Sequence, residues 1–161
     1  SVEHHAPGEP EISLDPEFSG TYPPHCLAGM PGEAKIVATR PANPMWIASN
    51  PVPAPALAAQ VRNHAGEVFL QKQRFDVFSN PNACTVLRAF GPERIVVYGV
   101  ALDLSGRHAV DGFLTLGSLE VWLVEDAVKA MRPEALPELL SDWRRRGVKI
   151  VKTAEALELT R

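Results

Sequence analysis

Short apolar segments alternate with helical patterns from residue 56 to residue 161, and this alternation limits the folds open to the chain. The segments with strand character are Val68–Leu70, Arg94–Tyr98, Leu119–Val124 and Val148–Val151. The predicted helices are Ala54–His64, Pro81–Phe90, Leu104–Leu116, Pro133–Arg146 and a short one that begins at Thr153. Short connections between strands and helices favour a parallel sheet, and strands that are apolar throughout are typical of burial on both faces. We therefore predict an α/β fold, a doubly wound and mainly parallel sheet with helices on both faces.

Residues 1–55 differ from the rest of the chain. They hold most of its 15 prolines and show little hydrophobic periodicity, which predicts long loops with one short strand at Lys35–Thr39. Loops of that length inside a compact domain usually carry function. A length of 161 residues fits one domain. We predict a single domain over residues 1–161, in which the loops of residues 1–55 are candidates for a functional region.

The composition of the chain limits the classes of binding partner that it can have. The net charge is −3 and the one basic cluster, Arg144–Arg146, falls at a predicted helix end, so nothing indicates nucleic-acid binding. No apolar run approaches the roughly 20 residues that span a membrane. Two cysteines, Cys26 and Cys84, are too few for a disulfide framework and fit a reducing compartment. We expect a cytoplasmic protein.

The stretch Arg94–Arg107 joins a predicted strand to a predicted helix, with Ser105 at the turn. In α/β sheets this carboxyl edge is where ligands bind, and backbone N–H groups at a helix start can hold an oxyanion. Ser105 is therefore a candidate nucleophile. The alternative is a capping residue, the commonest use of serine at a helix start. His108 lies one turn further on and is interpreted as a surface or core histidine.

The loop region and the first predicted strand hold further polar candidates. Glu3 and His5 are two residues apart, which puts both side chains on the same side of an extended segment. With Glu11 and His25 they make two carboxylates and two imidazoles, a set that suits Zn, Mn or Fe, although such residues are also common on solvated loops. Prolines 23 and 24 predict a rigid turn that orients His25. Lys72 follows a strand and is either solvated or a cation beside a nucleophile.

Taken in order, several segments resemble one protein family. They are Glu3-x-His5, Tyr22-Pro23-Pro24-His25-Cys26 with Gly29-Met30-Pro31-Gly32, Lys72, Gly99-Val100-Ala101-x-Asp103-x-Ser105 and Leu123-Val124-Glu125-Asp126-Ala127. This combination resembles the isochorismatase-like cysteine hydrolases, and within them the nicotinamidase/pyrazinamidase branch. The resemblance covers essentially the whole chain. It implies a hydrolase of NAD metabolism that converts a small aromatic carboxamide, such as nicotinamide, to the acid and ammonia.

The resemblance also implies site residues. It places a divalent metal, Zn, Mn or Fe, on Glu3, His5, Glu11 and His25. It places the substrate against Tyr22 and Phe75, and Lys72 as the lysine of the catalytic triad. The oxyanion hole would be formed by the N–H groups of Ala101, after a cis peptide bond, and of Ser105. On this basis Ser105 Oγ and Lys72 Nζ are expected within hydrogen-bond reach of one another or one water apart.

Two departures from the family leave two functions open. Ser105 stands where the family has its nucleophilic cysteine, and a serine hydroxyl needs a base that a thiolate does not. The family's catalytic Asp comes from a first strand before the metal loop, and this chain begins at that loop. We expect that strand to be missing, with either a longer N-terminus or a contact in a homo-oligomer covering the sheet edge. The chain is then either a hydrolase by descent or a degenerate homologue that binds a ligand, a metal or a partner subunit.

Overall fold

The computed structural model describes residues 1–9, 11–18 and 20–158, and the chain separates into two compact units, Ser1–Phe90 and Gly91–Arg161. Each unit contains a parallel three-stranded sheet and helices, which confirms the predicted α/β class. The strands form two ladders, one in each unit. The assignment of residues 1–161 to one domain stays a prediction.

The first unit is built on strands β1 (Val2–Glu3), β2 (Met45–Ile47) and β3 (Val68–Lys72). Its helices are α1 (Ala54–Asn63) and α2 (Ala83–Phe90), close to their predicted bounds. The central strand is β3, which pairs in parallel with β1 on one side and β2 on the other. Apolar side chains of the sheet and both helices form the core of this unit: Ile47, Leu57, Val61 and Val86.

The predicted strand at Lys35–Thr39 is wrong. Residues Val37–Thr39 form a 3-10 turn, and Val37 is 82% exposed, so its branched side chain has no sheet surface to pack against. The strand lies instead at Met45–Ile47, where Ile47 pairs with Leu70 and is buried. Branched residues favour a strand only where neighbouring strands cover them, and the local pattern around Lys35 did not carry that information.

The second unit is built on strands β4 (Arg94–Val100), β5 (Glu120–Lys129) and β6 (Lys149–Val151), in that order across the sheet. Its helices are α3 (Arg107–Thr115), α4 (Leu136–Arg145) and α5 (Thr153–Glu158). The core is formed by Trp143 with five buried aliphatic residues, Leu102, Val110, Val121, Leu123 and Val148. The indole N–H of Trp143 donates to Asp111 at 3.0 Å, so the polar edge of this buried ring is satisfied.

The helix predicted from Leu104 begins later. Residues Leu102–Gly106 form a π-type turn in which Leu104 leaves helical geometry, and the regular helix begins at Arg107. At the far end of the unit, the N–H and hydroxyl of Thr153 both donate to Asp126, at 2.8 and 2.9 Å, at the start of α5. Within the described ranges, no helix combines the length and apolar character needed to cross a membrane.

Candidate metal centre and catalytic turn

Three of the four predicted metal ligands lie together in the first unit. Glu3, His5 and His25 each direct one ligand atom into a cluster in which all the atoms lie within 4.8 Å of one another. His5 is fully buried, while Glu3 and His25 are partly covered. Two imidazole nitrogens and a carboxylate oxygen are a donor set that binds zinc and other borderline divalent metals.

Backbone pairing brings the three residues of this cluster together. Glu3 is the last residue of β1 and lies beside Lys72 of β3. His5 follows after one residue and forms a parallel bridge with Leu27; its N–H donates to Cys26 and its carbonyl accepts from Ala28. The loop that contains His25 therefore runs directly alongside the segment that contains Glu3 and His5.

The surroundings of the His25 and His5 ring nitrogens favour a bound cation at the cluster. His25 Nδ1 lies 2.7 Å from the carbonyl of Pro23, which can only accept, so Nδ1 carries the proton. The other ring nitrogen, Nε2, is directed at Glu3 Oε2 at 3.1 Å. Among the described residues, neither ring nitrogen of buried His5 has a hydrogen-bond partner. A divalent cation would satisfy all three groups, so these residues fit a metal.

Burial lowers the pKa of His5, and the neighbouring His25 lowers it further. The charge of Glu3 acts in the opposite direction but does not outweigh these two effects. The ring is therefore neutral near pH 7 and offers a lone pair, the form in which histidine ligates metals.

Lys72 is buried, which contradicts the solvated alternative for this residue. Its side chain is 3% exposed. The ammonium donates to Glu3 Oε1 at 3.0 Å and to the carbonyl of Arg74 at 2.9 Å. A buried lysine persists only with such partners, so the end of β3 is built to hold a positive charge next to the candidate metal cluster.

Glu11 lies outside the cluster that the structure brings together. Its Oε1 accepts from the N–H of Phe75 at 2.7 Å. Burial raises the pKa of this carboxyl group, although the bond from Phe75 opposes the rise. In the part of the chain that the structure describes, Oε2 is buried with no hydrogen-bond partner. One oxygen of Glu11 is thus committed to the loop after β3, and its role as a fourth ligand stays a prediction.

The two predicted substrate contacts, Tyr22 and Phe75, pack edge to face with ring centroids 5.3 Å apart. A third ring, Phe18, stacks edge to face on Tyr22 at 5.9 Å and is 61% exposed. Backbone bonds hold this loop, since Phe18 N–H donates to Thr21 and Tyr22 N–H donates to Glu11. Phe18 was not included in this aromatic group in the sequence analysis. The available signal was its position, seven residues after Glu11, which is a candidate metal ligand.

A cleft of about 680 Å³ lies in the same unit and meets the cluster only through Glu3. Val2, Gln71 and Trp46 belong to its lining. Val2 pairs with Gln71, and both point to the face of the sheet opposite Glu3 and Lys72, because side chains alternate along a strand. The fully buried titratable residues His5 and Lys72 lie at the cluster, so we place the candidate chemistry there.

The second unit holds the turn with Ser105. The Val100–Ala101 peptide bond is cis, as the resemblance implies. The carbonyl of Ala101 accepts from the N–H groups of Leu104 and Gly106, at 3.2 and 3.0 Å, and these bonds close the turn around Ser105. A Cβ on Gly106 would lie 3.1 Å from Leu102 Cδ1, which explains a glycine in this tight turn. Ser105 is half-buried there.

Asp103 secures the same turn. Its side chain is 4% exposed, and its two oxygens accept from the N–H groups of Met131 and Arg132, each at 2.9 Å. Asp103 was named in the sequence analysis only as part of the family motif and was assigned no role; its position between apolar Leu102 and Leu104 was the signal for burial. Both oxygens are occupied by the loop after β5, so Asp103 positions the turn. His108 is exposed, as expected for a surface histidine.

We expect Asp103→Asn to lower the free energy of unfolding by about 1.5 kcal/mol, because an amide nitrogen replaces one charged acceptor and faces a backbone N–H. The measurement is urea denaturation of the full chain followed by circular dichroism. Asp15→Asn, at an exposed loop position, is the control and should leave the midpoint unchanged. An unchanged midpoint for Asp103→Asn would show that the turn does not depend on these bonds.

Comparison with known proteins decides the family. A family model described as the isochorismatase domain matches residues 26–155. The chain belongs to the isochorismatase family. The predicted family is thereby confirmed, and the match covers most of the chain. No curated protein matches the chain in sequence.

Solved structures of this family share the fold. A nicotinamidase/pyrazinamidase from Bacillus subtilis is 15% identical, with a TM-score of 0.66, over 94% of this chain and 72% of that one. An N-carbamoylsarcosine amidase from Thermoplasma acidophilum is 23% identical, with a TM-score of 0.65, over 94% and 69%. A pyrazinamidase from Pyrococcus horikoshii, solved in complex with zinc, is 25% identical, with a TM-score of 0.65, over 94% and 72%. These likenesses support an isochorismatase-like hydrolase fold.

Proposed function

We propose that the chain is a nicotinamidase-like amidohydrolase that acts on a small aromatic carboxamide. One observation carries the proposal: buried Lys72 is bonded to a carboxylate whose second oxygen faces two imidazoles. Such a group of buried charges is costly to fold and is typical of functional sites. The aromatic pair of Tyr22 and Phe75 adds a surface suited to a planar ring.

The proposed chemistry is acyl transfer to Ser105. The hydroxyl oxygen adds to the amide carbonyl carbon, and the N–H groups of Ala101 and Ser105 stabilise the oxyanion that forms. The hydroxyl proton passes to a base and then to the leaving nitrogen, so that ammonia departs and an ester remains. Water hydrolyses the ester and restores Ser105. By the resemblance to the family, Lys72 is proposed as the lysine of the catalytic triad.

A divalent metal, Zn, Mn or Fe, would be held by Glu3, His5 and His25, with Glu11 proposed as the fourth ligand. When bound, it supplies a Lewis acid that fixes the orientation of a substrate with a ring nitrogen. The three clustered residues have the lone pairs and the burial for this task. The zinc complex of the Pyrococcus horikoshii pyrazinamidase is consistent with that choice of metal.

A second function is favoured by the turn itself. Asp103, the acid two residues before Ser105, has both oxygens committed to backbone N–H groups and is not free to act as a base for the hydroxyl. A serine hydroxyl needs a base to act as a nucleophile, and Asp103 does not supply it. The alternative proposal is therefore a degenerate homologue that retains the pocket and binds a carboxamide, a metal or a partner subunit without turnover.

Ammonia release from nicotinamide separates the two proposals. For a hydrolase we expect slow release by the unaltered chain and a loss of at least about tenfold in Ser105→Ala, since general-base-assisted attack is removed. We expect Ser105→Cys to change the rate little, because a thiol at this position still needs a base. Release that survives Ser105→Ala would contradict the assignment of Ser105. Nicotinamide binding without release by the unaltered chain would support the degenerate homologue.

We also propose a cytoplasmic location. Cys26 and Cys84 are both free thiols, and secreted proteins more often pair their cysteines in disulfides. Burial raises the pKa of the Cys26 thiol, and the charge of Glu3 raises it further, so this cysteine is protonated near neutral pH. Two free cysteines fit a reducing compartment. Localisation of the tagged protein by cell fractionation tests this proposal.

A further inference from the structure

The two carboxylate oxygens of Glu3 contact different groups in the first unit. Its Oε1 accepts from Lys72 at 3.0 Å. Its Oε2 lies 3.1 Å from His25 Nε2 and 4.0 Å from His5 Nε2. One negative charge is therefore shared between a buried ammonium on one side and the two imidazoles of the candidate metal cluster on the other.

The surrounding structure fixes the contacts that Glu3 makes with Lys72 and with His25. The Lys72 side chain is 3% exposed and that of Glu3 is 20% exposed, so water screens their interaction poorly. The strand register fixes Glu3 directly beside Lys72. The hydrogen bond between His25 Nδ1 and the carbonyl of Pro23 fixes the orientation of the His25 ring. The carboxylate thus lies between two groups that are each held by a further contact.

We infer that Lys72 and a divalent cation at Glu3, His5 and His25 compete for the charge of Glu3, so that each weakens the binding of the other. The inference rests on the metal site proposed above. Lys72 draws the negative charge of the carboxylate toward Glu3 Oε1 and leaves less of it on Oε2 for a cation. Coupling between two sites is reciprocal, so a metal that binds Oε2 loosens the Lys72–Glu3 pair by the same factor. Glu3 is in this sense a positioning residue for Lys72.

The test is the affinity of the chelator-treated chain for Zn²⁺ and Mn²⁺, measured by calorimetry. Lys72→Met keeps the length of the side chain and its burial but removes the charge. We expect it to bind both metals about tenfold more tightly than the unaltered chain, an effect typical of coupling between adjacent sites. Equal or weaker affinity in Lys72→Met would overturn the inference. Failure of the unaltered chain to bind either metal would instead overturn the proposed metal site.

A double-mutant cycle assigns the effect to Glu3. In Glu3→Gln the shared charge is absent, so we expect Lys72→Met to change metal affinity less than twofold in that background. An undiminished tenfold effect there would show direct repulsion between Lys72 and the metal and would overturn the role of Glu3. Arg74→Met is the matched control, since it removes an equal charge from an exposed position two residues away. We expect its affinity within twofold of the unaltered chain.

A second variant of the same residue keeps the inference testable if Lys72→Met does not fold. Lys72→Gln also removes the charge, and its amide retains a donor for Glu3 Oε1. We expect the same direction of change as in Lys72→Met. The circular dichroism spectrum of each variant is compared with that of the unaltered chain before titration, and affinities are compared among folded variants. Weaker metal binding by folded Lys72→Gln would contradict the inference as directly as the same result for Lys72→Met.

Discussion

We expect His25→Ala to lower the affinity of the chain for Zn²⁺ by about 100-fold or more, because even a change outside the ligand shell costs up to that factor. His25 is the ligand whose Nδ1 is fixed by Pro23, so its Nε2 is already oriented toward Glu3. Alanine removes this lone pair and leaves a gap at the cluster. The measurement is calorimetric titration of the chelator-treated chain at fixed pH and ionic strength.

The controls separate a metal site from general histidine binding. His108→Ala removes an exposed histidine of the second unit and should leave the affinity unchanged. His5→Ala should resemble His25→Ala, since both rings belong to the cluster. Retained Zn²⁺ affinity in both variants would contradict the metal site and would leave the two histidines as groups of an ordinary loop.

The part of the fold that the sequence predicts well is the part with local signals. Helix α1 shows why: Pro53 and Pro55 restrict its first turn, and Leu57 and Val61 recur at the spacing of one helix face, both buried. Strand β2 had no such signal. Its three residues form a strand because β3 pairs with them, and that partner lies more than 20 residues further along the chain. Pairing with a segment so distant in the sequence cannot be predicted from a few consecutive residues.

The candidate site divides in the same way. The spacing of Glu3 and His5 on an extended segment is a local geometric fact, and the structure brings both residues to one cluster. The bond from Phe75 to Glu11 depends instead on the approach of two loops, so residue types alone gave no means of separating Glu11 from the other three. The hydrogen bonds of Asp103 to Met131 and Arg132 are likewise set by tertiary structure. The expected proximity of Ser105 and Lys72 stays a prediction.

The position of Lys72 depends on a buried asparagine in the same unit. The Asn80 side chain is 1% exposed, and its amide nitrogen donates to the carbonyl of Gln71 at 2.8 Å and of Ile47 at 3.2 Å. Its amide oxygen accepts from the N–H of Asn82 at 2.9 Å. Asn80 thus joins the ends of β2 and β3, one residue before Lys72.

We expect Asn80→Ala to lower the free energy of unfolding by about 3 kcal/mol, because several buried backbone groups lose their partner at once. Asn80→Asp has the same size but places a carboxylate oxygen against those carbonyls, so it should destabilise the chain at least as much. Asn50→Ala is the matched control at an exposed position and should change stability by less than about 0.5 kcal/mol. Urea denaturation followed by circular dichroism measures all three. A loss in Asn80→Ala with none in Asn80→Asp would assign the effect to a cavity and would contradict the hydrogen-bonding role.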